Sequence, residues 1–386
     1  MKVFFPVFQW AKPSMRGVLK KVSDQTRALK GLVADVHTIV YGFHDTKSTS
    51  FNNLEYINIE PLRDNYLSQL WQVRKKGFEL ALQHIETFHP DVIYTRYPLG
   101  DPSAVKFLKR IPSSIPVVFE QQAIVLKELK SLKKRIYVLV EGLYGKRLIN
   151  LAAGVVGVTE GIARYESRRM KNGRAILISN GVGVDALPLR QFPPYDKNRL
   201  EILFVGSTNP WHGLDRLLWG IANYKGEVAI TLHIVGIEED DSLRSLAKTL
   251  HIEDHIRFHG FKTGRELDAF FNFCHIGAGS FGIQRKGLTE SAGLKMREYC
   301  ARGLPFFLGH QDPDFPSDLS FCAFFPATEE PIDFRLVVKF YTNVYSCQNH
   351  PAFIREYAYK NLDWSVKMKK TVAFFEQILA ERRSSK

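Results

Sequence analysis

Residues 287–305 read GLTESAGLKMREYCARGLP. Ser291, Ala292 and Gly293 make a small-residue turn, and the pattern after it predicts a helix opening at about Leu294. Arg302-Gly303 closes that helix with a residue that accepts the left-handed conformation, and Pro305 opens a strand. A helix start offers free backbone N–H groups and a positive dipole end, which suits phosphate. Lys295 falls in the first turn and adds a full charge there. Glu290 and Glu298 flank it, and Glu298 sits one turn later on a nearby face, where a carboxylate can accept the two hydroxyl hydrogen bonds that a ribose offers. A plain surface helix with a Lys–Glu pair fits the same letters.

Outward from this segment, short apolar runs alternate with helical patterns. The strands expected in the first half are Val3–Phe8, Val36–Tyr41, Val92–Tyr94, Val117–Phe119, Gly154–Val158 and Ala175–Ile178. In the second half they are Glu201–Val205, Ala229–Val235, His255–His259, Ile276–Gly279, Pro305–Leu308 and Ala323–Phe325. Leu62–Phe88, Asp215–Ala222 and Ser242–Leu250 read as helices between them. Such alternation predicts α/β architecture with parallel sheets and right-handed crossovers. Ser179-Asn180-Gly181 is a turn signal, and the proline-bearing stretch from Asp185 to Asn198 reads as a linker. The expectation is two Rossmann-like domains facing a cleft, residues 1–187 and 188–362, with a helix from 363 to 386.

Composition narrows the classes. Hydrophobic residues at 45% and charged residues at 24% exclude disorder and fibrous repeats. No run of 18 apolar residues is present, and no signal peptide is expected at the start. Cys274, Cys300, Cys322 and Cys347 stand far apart, as in reduced thiols of a cytoplasmic protein. The net charge of +13 attracts phosphate-bearing partners. Residues 102–174 carry fifteen Lys/Arg against five Asp/Glu, so the excess is concentrated there. Within that stretch, Leu126, Leu129, Leu132, Ile136, Leu139 and Leu143 recur at helical spacing, with Lys127, Lys130, Lys133, Lys134 and Arg135 mostly on the other faces. One basic amphipathic helix is expected, suited to an anionic membrane surface or to a solvated face. No nucleic-acid motif accompanies the charge.

With Glu290 and Glu298 at E-x7-E spacing, Lys295 three before the second, and a G-x-P strand after them, the segment resembles the GT-B glycosyltransferases, specifically retaining family 4 of bacterial surface-polysaccharide type. Val155–Ile162, Ile178–Asp185, Leu203–Leu218, Arg257–Phe271 and Trp364 before the last helix resemble further segments of that family in order. The resemblance implies a first domain that binds the acceptor, a second that binds a nucleotide-sugar, and a last helix that crosses back to the first. It implies hexose transfer from a UDP- or GDP-sugar to a glycan or lipid-linked acceptor, with no metal and no cofactor, in surface polysaccharide or glycolipid synthesis. It places the protein in the cytoplasm or on the inner face of the cytoplasmic membrane. Carried over by position, Glu290 holds the donor sugar, Lys295 the diphosphate and Glu298 the ribose. Gly17 falls in the loop that closes over the donor.

The sequence departs from the family in two places. The loop Gly206-Ser207-Thr208-Asn209-Pro210-Trp211-His212-Gly213 has Ser207 where the family has Arg and His212 where it has Lys. The family's first-domain histidine is absent, and Glu120 is the candidate for its position. These departures leave a non-catalytic nucleotide-sugar-binding relative as the alternative. Three other patterns carry less. Gly277–Gly282 matches G-x-G-x-x-G without the immediate helix that dinucleotide binding needs, Asp312-Pro313-Asp314 reads as a turn, and His251, His255 and His259 need not converge.

Overall fold

The computed structural model describes residues 1–9, 16–42, 51–60, 66–237, 240–347 and 349–384. The chain divides into two compact units, Met1–Ser179 with Trp364–Lys386, and Asn180–Asp363. In the first, strands β1 (Lys2–Gln9), β2 (Asp35–Gly42), β3 (Glu55–Asn58), β4 (Val92–Arg96), β5 (Val117–Gln121), β6 (Gly154–Gly157) and β7 (Ala175–Leu177) form one sheet. Its order is β3-β2-β1-β4-β5-β6-β7, and every pair is parallel. The helices are α1 (Arg16–Lys30), α2 (Tyr66–Phe88), α3 (Pro102–Arg110), α4 (Val125–Ser131), α5 (Arg135–Ile149) and α6 (Glu160–Arg169).

The second unit repeats the plan. Strands β8 (Arg199–Val205), β9 (Ala229–Val235), β10 (Ile256–Phe258), β11 (Ile276–Ala278), β12 (Phe306–Leu308) and β13 (Cys322–Phe324) run in the order β10-β9-β8-β11-β12-β13, again parallel. Its helices are α7 (Leu214–Asn223), α8 (Asp241–Thr249), α9 (Arg265–Phe273), α10 (Leu294–Arg302), α11 (Phe334–Tyr345) and α12 (His350–Asn361). Helix α13 (Trp364–Ser384) belongs to the first unit. Each sheet reverses its strand order once, between β1 and β4 and between β8 and β11. The crevice beyond the strand ends at such a reversal is where open α/β sheets bind ligands.

The cores follow from strands apolar on both faces. In β8, Leu200, Ile202 and Phe204 enter one buried cluster while Leu203 enters another on the opposite side. In β1, Phe4 packs with Ile39, Ile93 and Phe119, while Val3, Phe5 and Val7 pack with Trp364, Met368 and Phe375 of α13. The last helix thus closes one face of the first sheet.

Several expectations change. Strand β3, with the polar sequence EYIN at a half-exposed edge, gave no apolar signal. The division falls at Ser179/Asn180, because residues 180–187 pack on the second unit. The Asn180 amide donates to Ala292 O (2.7 Å), Val182 N donates to Leu362 O (2.9 Å), and Val182, Val184 and Leu187 join its core. The single basic helix is two. Helix α4 ends where Lys134 N donates to Leu129 O and Lys133 N to Lys130 O, each 3.0 Å, with Lys133 at φ +55° in the position usually given to glycine. Gly17 lies in the first turn of α1, exposed, with open space among the described residues where a Cβ would be.

Candidate functional site

Strand β8 delivers its last residues to the reversal point of the second sheet. Gly206 follows at φ +143°, and a Cβ there would come 3.2 Å from Lys295 Nζ. Residues 207–213 then fold back as a short 3-10 turn, Pro210–His212, and Gly213 starts α7 at φ +63°. The turn is strapped to the segment after β11. Phe281 N donates to His212 O (2.9 Å) and Gly282 N to Trp211 O (3.1 Å). The glycines at 277, 279 and 282 serve this packing. An added Cβ would meet Tyr299 at 2.7 Å, Leu308 at 2.7 Å and Pro210 O at 2.5 Å respectively. The Lys286 ammonium lies 4.7 Å from the Trp211 ring centre.

Helix α10 begins at Leu294 as the sequence predicts, with Gly293 as N-cap and no side chain capping it. Gly303 at φ +76° ends it. The loop ahead of it is tied from several sides. Ser291 N donates to Gln311 O (3.0 Å), Asn180 holds Ala292 O, and Arg297 donates to Gly293 O (3.1 Å). Arg297 is itself fully buried against Asp312 (2.5 and 2.6 Å) and Asp314 (2.5 Å), and it also donates to Asn180 O (3.0 Å). The Asp312-Pro313-Asp314 turn is therefore an arginine clamp that sets the loop carrying Glu290.

Lys295 is the charge at the centre. Its Nζ sits 3.8 Å from the Phe204 ring centre and 3.3 Å from His212 Nδ1, and no carboxylate pairs with it among the described residues. Burial holds its pKa well below that of an ordinary lysine. His212 Nδ1 also lies 2.9 Å from the Ser280 hydroxyl. An ammonium can only donate, so with Lys295 charged Nδ1 accepts and the imidazole proton is assigned to Nε2. Burial first, then Lys295, Lys286 and His310, push the His212 pKa down to about 2. His212 is thus a neutral hydrogen-bonding group at physiological pH, where an unperturbed histidine would titrate near 6.5.

The remaining sequence candidates separate. Glu290 lines a cavity of about 740 Å³ with Thr289, His310, Gln311, Phe324 and Pro326. Glu298 accepts from Arg302 Nε through Oε1 (3.0 Å), and Arg302 reaches on to Asp268 (2.6 Å). Ser207 is exposed and accepts from the Asn209 amide (2.6 Å). Glu120 does not stand open beside a ligand. It is 3% exposed, and its carboxylate takes Lys21 Nζ (2.8 Å), Gln25 Nε2 (2.7 Å) and Tyr94 OH (2.9 Å). Burial would raise its pKa, but Lys21 chiefly brings the net shift below the usual carboxylate range. A carboxylate so satisfied anchors α1 to the sheet. Lys127, Lys130, Lys133, Lys134 and Arg135 are exposed in the first unit, remote in sequence from this cluster. No group of three or more metal-ligating side chains forms among the described residues. His259 instead meets His233 (2.8 Å), which meets Glu201 (2.8 Å).

Sequence reasoning missed Ser280, Phe204 and the Arg297 clamp. Only the apolar run of β8 and the glycine density at 277–282 hinted at a close approach there.

Residues 188–313 match the family model described as glycosyl transferases group 1. No curated protein matches the chain in sequence. Among solved structures, the chain is similar to a glycosyltransferase from Rickettsia africae (13% identity, 98% of each chain covered, TM-score 0.67). It is similar to a sucrose-phosphate synthase from Thermosynechococcus elongatus (15%, 99% of this chain and 100% of that one, 0.67). It is also similar to HepE of Anabaena, solved with UDP and glucose (16%, 100% of each, 0.60). The fold is that of the GT-B glycosyltransferases, and residues 188–313, within the second unit, are the part that matches the glycosyl transferase family model.

Proposed function

We propose that the chain moves a hexose from a UDP- or GDP-sugar to the hydroxyl of a glycan or lipid-linked acceptor, with retention of anomeric configuration. The observation that carries this is Lys295: a withdrawn, carboxylate-free ammonium at the sheet's reversal point, beside an uncapped helix start. Such an arrangement is costly unless an anion completes it. A nucleoside diphosphate does so. As the bond from the sugar's anomeric carbon to the diphosphate oxygen breaks, that oxygen gains negative charge. Lys295, the first N–H groups of α10 and the neutral His212 ring stabilise the charge more in the transition state than before it. The acceptor hydroxyl attacks from the face the leaving group vacates and gives its proton to the departing diphosphate. Glu290 holds hydroxyls of the transferred sugar and Glu298 those of the ribose. No metal is required in this scheme. The UDP and glucose held by HepE support a UDP-linked donor, and surface polysaccharide or glycolipid synthesis at the cytoplasmic face of a membrane is the proposed setting.

The test is transfer from a panel of UDP- and GDP-hexoses to extracted lipid-linked glycans, with and without EDTA. Turnover that survives EDTA and falls about 10- to 100-fold in Lys295→Ala supports the reading, since a charge-assisted contact is worth roughly 1.5–3 kcal/mol. Nucleotide binding with no turnover on any acceptor favours instead a binding protein, the reading that Ser207 and His212 in place of two cations keep open.

A further inference from the structure

Helix α5 is apolar on both sides. Inward it buries Gly145, Leu148 and Ile149. Outward it presents Ile136, Leu139 and Leu143, which are 69%, 64% and 66% exposed. Their spacing puts them on one stripe, and Leu132, 41% exposed, lies just ahead of it at the break. The stripe is not the accident of a loose helix. Glu141, buried on the opposite side, accepts from Gly100 N (2.6 Å) and Tyr97 OH (2.9 Å) and pairs with Arg169 (3.3 Å). Apolar stripes held out to solvent mark binding surfaces.

The surroundings say what covers it. Residues 127–147 hold seven basic side chains, and their only acidic residue besides the buried Glu141 is Glu128. At the break between α4 and α5, a cavity of about 450 Å³ is lined by Lys130, Lys133, Lys134, Arg135 and Val138. Four cations and one apolar wall form a cup that fits a phosphate headgroup whose chains leave over the leucines. A second copy of the chain would set cations against cations.

We propose that the α4–α5 surface docks in the plane of an anionic phospholipid leaflet, with a headgroup phosphate in the cup and Ile136, Leu139 and Leu143 pressed into the acyl boundary. Cations alone would bind through a field screened within about 8 Å at physiological salt. The stripe adds attachment that salt does not remove. Vesicle binding needs neither donor nor acceptor, so it stands or falls apart from glycosyl transfer.

The test is co-sedimentation of the full chain with vesicles of phosphatidylcholine alone or mixed with phosphatidylglycerol, at low and high salt. Binding should require the anionic lipid and drop with salt, yet leave a salt-resistant part. Ile136→Gln, Leu139→Gln and Leu143→Gln together should abolish that part and weaken low-salt binding by about tenfold or more, with thermal unfolding unchanged. Lys133→Gln, Lys134→Gln and Arg135→Gln together should remove the preference for anionic lipid. Only Cys347 is exposed among the cysteines. A polarity-sensitive dye on Leu139→Cys in a Cys347→Ser background should therefore report an apolar environment on anionic vesicles. Equal binding by the Gln triple with no dye response would overturn the proposal. So would displacement from vesicles by millimolar inorganic phosphate at constant ionic strength, which would make the cup a free-phosphate site. Self-association of the wild type, lost in the Gln triple, would assign the stripe to a second copy.

Discussion

Lys21 in the first unit and Lys295 in the second are both drawn in near the C-terminal edge of a doubly wound sheet, and the two are treated in opposite ways. Lys21 of α1 meets Glu120 at the end of β5, with both side chains 3% exposed, and Gln25 and Tyr94 complete the carboxylate. Lys295 of α10 meets an aromatic ring and a neutral imidazole. The first charge is settled inside the fold, so it fastens a helix. The second is left for something that arrives. Two residues along the same helix, Arg297 shows that the second unit can bury a cation with full compensation, since it holds Asp312 and Asp314 at once. The missing partner at Lys295 is therefore a property of that position.

The largest expected effect tests the settled lysine. Lys21→Met strands the buried carboxylate of Glu120, and breaking a buried pair costs about 3–5 kcal/mol. Urea unfolding of the first unit should show most of that loss, and Glu120→Gln added to it should restore part. The same urea series on Lys295→Met should show no loss, because burial already penalises that charge. If both lysines destabilise alike, the contrast is gone.

The next effect concerns the open lysine's neighbours. Glu298→Ala should weaken free nucleotide about tenfold, the worth of one good charge-assisted hydrogen-bonding group. Glu290→Ala should lower turnover while free-nucleotide affinity stays. Calorimetry with UDP and GDP beside initial rates separates the two, and equal losses of nucleotide affinity would contradict the roles given to these carboxylates.

The settled parts and the open parts were not equally readable. Lys295, Glu298, Gly303 and the strand of Phe306 sit within one short run, where local spacing carries the geometry, and the helix begins at the residue expected. The apolar run of β8 announced a strand buried on both faces for the same local reason. Lys21 and Glu120 lie 99 residues apart, and nothing in either neighbourhood names the other. Glu120 therefore looked like an open carboxylate at a strand end. Ser280 reaches His212 only because the sheet brings β11 beside β8. The break at Lys133 carries no glycine or proline, so the leucine spacing ran across it and one helix was expected where two form. Local chemistry was legible, whereas long-range pairing and a backbone stop made without the usual residue were not.

The smallest effect follows from the depressed pKa of Lys295. In the free protein, burial makes the lysine give up its proton at lower pH than an ordinary lysine. A bound diphosphate favours the charged form and raises that pKa again. Between the two values, binding takes up a proton, so nucleotide affinity falls as pH rises, by at most tenfold per unit. The diphosphate's own last ionisation lies near pH 6, so the window to examine begins at about pH 7. His212 stays neutral throughout, its pKa being pushed down to about 2, and adds nothing to the slope. Calorimetry in buffers of different ionisation heat, from about pH 7 to 9.5, should show proton uptake with UDP or GDP and a several-fold decline in affinity. Lys295→Arg, whose guanidinium stays charged, should bind with no such slope. A flat wild-type profile would mean that the ammonium keeps its proton without an anion, and the distinction from Lys21 would then rest on geometry alone.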